Sequence, residues 1–258
     1  MSRFFTFVGK EAAEMLRTKR FIILGIVFLV FAILGPLLAR YIMEFINMFM
    51  PGDEVGSLVF EVGEPTWIDA YSMYYSNVVQ MGVFAIIFMF MGLIFDEKRR
   101  GTAALMMMKG VKHHTFILAK FTVVAIAMLI IVILSTLVAH LYTYILFEEA
   151  AMLADAMFGA LAFWVFSLFM SSLVIFFSTI AKSMVMSAMM SIMTFFGIIL
   201  IDLINNINTF APYSMASRAL SITFGEYTPH LWSNVVVTTI IIAVLLIASI
   251  FTLRKQEI

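Results

Sequence analysis

Few residues in this chain are equipped for bond-making chemistry, and their types and spacing decide against most of it. There is no cysteine, which excludes thiolate nucleophiles, disulfides and thiolate metal sites. His113-His114 stands without carboxylate or cysteine company, so a metal site is not expected there. Glu148-Glu149 is a carboxylate pair of the kind that serves hydrolysis at a metal, but it falls at a helix end and no arginine follows at the spacing such a site needs. No G-x-x-x-x-G-K-[ST] loop occurs, so the chain has no phosphate cradle of its own. His140 and Asp202 are the ionisable residues deepest in apolar runs, where an unpaired charge is costly and therefore suspect. Each sits within a few residues of the outer end of its run, near Glu148 and Asn205, and is expected to be a paired or hydrated interfacial group. The 22 methionines are scattered through the apolar runs, which reads as membrane core and not copper handling. The expectation is a protein that is not an enzyme and holds no cofactor or metal.

The elements that carry these residues are six runs free of Asp, Glu, Lys and Arg. They extend over Phe21–Ala39, Ala70–Phe95, Phe121–Phe147, Ala156–Ala181, Ser183–Ile201 and Leu231–Leu253. About 20 apolar residues cross a ~30 Å hydrocarbon core as a helix, and all six reach or approach that length. With 63% hydrophobic and 12% charged residues in 258, the chain belongs to the polytopic membrane class, with too little left over for a second, soluble domain. The fold class expected is an all-α polytopic membrane protein forming one transmembrane domain over 1–258, with spans at about 21–47, 70–95, 121–147, 156–181, 183–204 and 231–253. The charged stretch ahead of the first run is about 20 residues long and the run exceeds the ~7–15 of a signal peptide, so an uncleaved first span is expected.

Charge fixes the orientation. With the N-terminus inside, all of the 16 Lys and Arg except Arg40 and Arg218 fall on the cytoplasmic side, as the positive-inside rule requires. Most acidic residues, from Glu44 to Asp69, Glu148, Glu149, Asp155 and Glu226, fall outside, so a net charge of zero conceals a strong segregation. The bacterial cytoplasmic membrane is the expected location. Residues 1–20 set Phe4, Phe7, Val8, Met15 and Leu16 among Lys10, Glu11, Glu14 and Arg17, the pattern of a helix lying in the cytoplasmic interface. Residues 205–230, apolar in patches but interrupted by Pro212, Gly225 and Pro229, are expected to form a re-entrant or interfacial outer segment. Ser167 and Ser171, and Ser183, Ser187 and Ser191, recur every four residues and mark faces that pack against protein.

The most informative loop is 96–120. It opens Asp96-Glu97-Lys98-Arg99-Arg100-Gly101-Thr102, continues through Met106-Met107-Met108 and breaks at Gly110 before the next span. Thr102 is the expected N-cap of a short helix lying along the cytoplasmic face. The loop resembles that of permeases of ABC-2 type exporters, the membrane subunits of ATP-binding cassette systems, in which an E-x-x-x-G-T-like stretch precedes an apolar turn and a small-residue break. Glu97, Gly101 and Thr102 match, and Gly110 stands where the family often has Pro. The resemblance extends to the interfacial N-terminal helix, six spans with both termini inside, and the short cytoplasmic turn at Lys182.

That resemblance implies a coupling helix that docks on a separate ATPase subunit, with Asp96, Glu97, Arg100 and Lys182 as flanking charges and Met106, Met107 and Met108 as an adaptable apolar knob. It also implies pairing with a second permease copy or homologue, contact with membrane lipid and no nucleic acid, and ATP bound only by the partner chain. The substrate of such an exporter could be a peptide, a lipid or an amphipathic drug. The competing classes are an ion-gradient-driven secondary transporter or channel, which would call for central ionisable residues or broken helices, and a membrane anchor that does not transport.

The absence of native cysteine makes the topology directly testable. A single cysteine at Ser57 is expected to react with an impermeant thiol reagent in intact cells, and one at Ser2 or Thr115 only after permeabilisation. Labelling of Thr115 but not Ser57 in intact cells would reverse the orientation.

Overall fold

A computed structural model of the chain describes residues 3–49, 64–202, 211–227 and 230–256. The described residues are helical with no strands, and six helices are long and apolar enough to cross a membrane. This is an all-α, multi-pass membrane protein. Helices are the physical consequence of the uncharged runs, because in hydrocarbon every backbone N–H and C=O must be satisfied within its own segment.

The chain enters through α1 (Arg3–Arg17), turns at Thr18 and Lys19, and begins the first span, α2 (Arg20–Phe49). The second span is built in pieces. It comprises α3 (Trp67–Asn77), a π-helical turn at Val78–Gly82, α4 (Val83–Phe90), a turn at 91–94 and α5 (Phe95–Arg99). The short α6 (Thr102–Met108) follows, then the third span α7 (His113–Phe147), the fourth α8 (Leu153–Ile180) and the fifth α9 (Met184–Asp202). A ten-residue helix, α10 (Ser214–Thr223), precedes the last span, α11 (Leu231–Lys255).

The spans agree with the expected bounds to within a few residues, with one substantial exception. α7 begins at His113, eight residues before the expected start at 121, so the second half of the 96–120 loop is helix. Of the expected outer segment 205–230, the described part holds α10, packed chiefly on α8. The outer loop with Pro51-Gly52, and Asn205, lie outside the described residues.

α8 is the hub of the bundle. It packs against α7, α10 and α11, and its face of Phe163, Phe166, Met170 and Val174 is wholly enclosed. Ser167, Ser171, Ser187 and Ser191 are buried, as their spacing predicts; the hydroxyls of Ser167, Ser171 and Ser191 donate to the Trp164, Ser167 and Ser187 carbonyls of their own helices, and Ser187 Oγ has no hydrogen-bond partner among the described residues. Ser183 departs from that stripe. It is exposed, and its hydroxyl accepts the backbone N–H of Met186 at 3.1 Å, closing the first turn of α9.

Polar side chains bind the helices where apolar packing alone would be no different from packing on lipid. The Tyr74 hydroxyl lies 2.9 Å from Ser135 Oγ and 3.2 Å from Thr136 Oγ1, joining α3 to α7. The Tyr75 hydroxyl lies 3.2 Å from Thr223 Oγ1, joining α3 to α10. Trp164 Nε1 donates to the Ala125 carbonyl at 3.0 Å, joining α8 to α7, and Asn234 of α11 donates to Ser214 of α10. Such bonds contribute about 0.6 kcal/mol each within a membrane. Thr66 caps α3 through a reciprocal box with Asp69, whose Oδ2 accepts both the Thr66 N–H and its hydroxyl at 2.8 Å.

Close approach of α2 to α3 depends on Gly35. A Cβ there would stand 2.8 Å from both Cα and N of Tyr74, and backbone cannot yield as a side chain would. Gly35→Ala is therefore expected to force the two helices apart at a cost of about 1–3 kcal/mol. A lower thermal midpoint in detergent is the measurement, and an unchanged midpoint would show that the helices are not held at this distance.

Candidate functional site at the basic end

The second span does not run straight into its loop. The turn at 91–94 breaks the helix, and the freed N–H groups of Ile94 and Phe95 both donate to Ser178 Oγ of α8 at 3.1 Å. Two residues past α5, Gly101 takes a left-handed φ of 71°, and Gly110 does so again at 84° beyond α6. α6 is thus bounded by two glycines. Gly101 occupies the N-cap position expected of Thr102, which is instead the first helical residue and donates its hydroxyl to the Glu97 carbonyl at 3.2 Å.

Glu97 is the centre of the site, and it is not the docking charge expected of it. It is 6% exposed, with its Oε1 accepting from the Lys120 ammonium at 2.7 Å. Lys120, on α7 and 2% exposed, also donates to Glu11 Oε2 of α1 at 2.6 Å. A buried cation thus bridges two buried carboxylates from α1 and α5. Lys10 closes the network from the outside, 3.0 Å from both Glu11 and Glu14 and 3.6 Å from Glu97. Partial burial pulls the Lys10 ammonium down, but its bonds to Glu14 and Glu11 and the charge of Glu97 outweigh this and hold it above its ordinary value. Burial pushes the Glu14 carboxyl up, and its hydrogen bond to Lys10 with the charges of Lys10, Lys120 and Arg20 turns the balance below the usual carboxylate range.

Oxygens of Glu11, Glu14 and Glu97 lie within 4.8 Å of one another, a convergence that suits a hard cation. The Lys10 and Lys120 ammonium groups already supply that charge. Beside the network lies a cavity of about 280 Å³ lined in part by Arg20, Asp96, Arg100 and Met106. Asp96 stands 3.9 Å from Arg20 and 3.8 Å from Arg99, both loose pairs.

Lys98 secures the other side of the platform. Its ammonium donates to the Thr179 carbonyl of α8 at 2.7 Å and to the Gln256 side chain beyond α11. Together these contacts place α1, the ends of the second and fourth spans, the start of the third and the C-terminal end of the last at one end of the bundle. It is the basic end, which the positive-inside rule assigns to the cytoplasm.

The outward face of α6 differs from the expected knob. Met106 and Met107 are partly buried and pack against the core, whereas Leu105 is 55% and Met108 75% exposed. The cause is helical period: residues three apart share a face, so Leu105 and Met108 point together away from the bundle. Arg100 and Lys182 are exposed on the same end, and Lys109 and Gly110 are exposed beside Met108.

The two intramembrane candidates stay apart from this platform. His140 Nδ1 lies 2.7 Å from the Tyr71 hydroxyl, a satisfied pair near the outer end of α7. Asp202 is the last described residue of α9, at its outer end, and its Oδ1 has no hydrogen-bond partner among the described residues.

Glu11 and Lys120 are the site residues that sequence reasoning missed, and each had left a signal. Glu11 falls midway between Phe7 and Met15 at four-residue spacing, so it lies on the apolar stripe of α1. Lys120 likewise falls in line with Phe116 and Val124 on α7. A charge inside an apolar stripe asks for a partner of opposite sign.

No protein-family model matches this chain, and no curated protein matches its sequence. Its class as a polytopic helical membrane protein rests on the fold alone.

Removing the bridging cation leaves two buried carboxylates facing one another. Lys120→Met is expected to destabilise the protein by about 3–5 kcal/mol and to free α1, read as faster proteolysis within residues 3–17. Adding Glu11→Gln and Glu97→Gln should restore much of the loss. A Lys120→Met protein as stable as the parent would mean that the network does not hold α1.

Proposed function

We propose that this chain is the permease subunit of an ATP-driven exporter of the ABC-2 kind, working as a pair and powered by a separate ATPase that docks on its basic end. The observation that carries the reading is the mounting of α6. A seven-residue helix between two left-handed glycines presents Leu105 and Met108 to the outside, and its root is fixed by the Glu97–Lys120–Glu11 bridge to α1 and α7. Such a projection suits transmission of force. A partner that pushes on Leu105 and Met108 acts through a short lever on the buried root, and the root is tied to α1 and to the second and third spans. The flanking Arg100, Lys109 and Lys182 suit a partner surface with an apolar pocket and an acidic rim, which they would orient by charge. ATP belongs to the partner, and transport proceeds outward between the two permease copies.

The sequence resemblance and this geometry support the reading from different directions. The first rests on Glu97, Gly101 and Thr102, the second on which apolar side chains stand free. They also assign different residues: Glu97 positions α6 from within, and of Met106, Met107 and Met108 it is Met108 that stands free, with Leu105 beside it.

The test is co-purification with a cassette ATPase, together with ATP hydrolysis in reconstituted membranes. Leu105→Asp and Met108→Asp are expected to weaken association at least tenfold, about 1.4 kcal/mol or more each, while the spans stay folded. Met107→Asp should act differently, lowering stability because that side chain faces the core. Unchanged association and unchanged coupling in both outward variants would overturn the assignment.

A further inference from the structure

The second span exposes a polar face where a lipid-facing helix would be apolar. Ser72, Ser76 and Gln80 follow one another at four-residue intervals along α3 and the π-helical turn, and Ser76 and Gln80 are exposed. At 1.5 Å per residue they lie roughly 14–20 Å along the axis from Trp67 in the case of Ser76 and Gln80, well inside a ~30 Å hydrocarbon core. The wide turn at Val78–Gly82 makes the arrangement possible, keeping Val78, Val79 and Gly82 buried while Gln80 stays on the side of Ser76. Gln80 Nε2 donates to Ser76 Oγ at 3.0 Å, and its amide carries further donor and acceptor capacity.

Across from this face stands α10, contributing Tyr213 and the exposed Ser217. Between them lies a groove of about 170 Å³ whose polar lining is Ser72, Tyr75, Ser76, Gln80, Tyr213 and Ser217. The lining is uncharged, with the hydroxyl and amide groups set among the apolar side chains of Val79, Ala216 and Leu220. Facing lipid, Gln80 and the serines would lose water, and the single bond from Gln80 to Ser76 leaves most of their hydrogen-bonding capacity unmet. A wet groove gives them partners, and what it admits must hydrogen-bond without carrying charge.

We propose that the groove between α3 and α10 is a water-accessible binding site for an uncharged, hydroxyl-bearing head group of the transported molecule. This rests on the permease reading and narrows its substrate class to amphiphiles with a neutral, hydrogen-bonding head. Ser76, Gln80 and Ser217 supply the contacts, and the π-helical turn sets the register of the first two.

The cysteine-free chain allows a direct test in reconstituted membranes. Ser76→Cys, Gln80→Cys and Ser217→Cys are expected to react with a small hydrophilic methanethiosulfonate at least tenfold faster than Val244→Cys, an exposed position on the last span. Octyl glucoside, below its micelle concentration, should slow labelling at Ser76→Cys at least threefold, and octyltrimethylammonium at the same concentration should not. Labelling no faster than at Val244→Cys would show a lipid-facing surface, and disulfide cross-linking of Ser76→Cys between copies without labelling would show a dry interface; either overturns the proposal. Equal slowing by both amphiphiles would overturn the choice of head group. Labelling reads the groove whether or not an ATPase docks. A reactive groove without ATPase association would sink the permease reading alone, and an unreactive groove with association retained would sink this one alone.

Discussion

The buried ammonium of Lys120 is the constraint on which the basic end depends. It lies 2.6 Å from Glu11 and 2.7 Å from Glu97, at the boundary where the bundle meets water, and the three groups come from three elements. Desolvating a lysine is expensive unless carboxylates compensate, and desolvating two carboxylates is worse without the lysine. Each group is therefore tolerable only when the other two are in place. This interdependence attaches α1, an amphipathic segment that could otherwise drift in the interface, to the start of the third span and the root of α6. Lys10 adds an outer layer to the same network, so that its exposed side carries balanced charge.

The second span shows the complementary principle. A membrane helix can be interrupted where another part of the protein supplies the missing hydrogen bonds. At the basic end the interruption at 91–94 is relieved by Ser178, one hydroxyl serving two backbone N–H groups where α5 begins. Further out, the π-helical turn shifts the face of the helix without breaking it. Three tyrosines on α3 fix its rotation, with Tyr71 on His140, Tyr74 on Ser135 and Thr136, and Tyr75 on Thr223. With rotation fixed in this way, Ser76 and Gln80 have no freedom to turn inward.

Much of the fold was legible because hydrocarbon permits so few structures. Uncharged runs of about 20 residues marked the spans, and the error was greatest at the third, where His113, His114, Lys112 and Lys120 disguised the first turns of a helix as loop. The short helix on that end was legible too, since glycines at 101 and 110 bracket a short apolar stretch. The roles within it were not. Glu97 looked like a surface charge and is a buried one, and of Met106, Met107 and Met108 the first two pack partly buried against the core, because a motif states residue types without stating which side of a helix meets the protein.

The sequence by itself determined that this is a helical multi-pass membrane protein and, through the distribution of Lys and Arg, that one end of the bundle is basic. Both follow from composition along the chain, which the bilayer reads one segment at a time. Only the tertiary structure decided that Glu11, Glu97 and Lys120 form one network, that Leu105 and Met108 are the exposed pair on α6, and that a polar groove opens between α3 and α10. Those facts depend on helix rotation and on partners far apart in the chain, 148 residues in the case of Tyr75 and Thr223, and such pairings arise only when helices pack side by side.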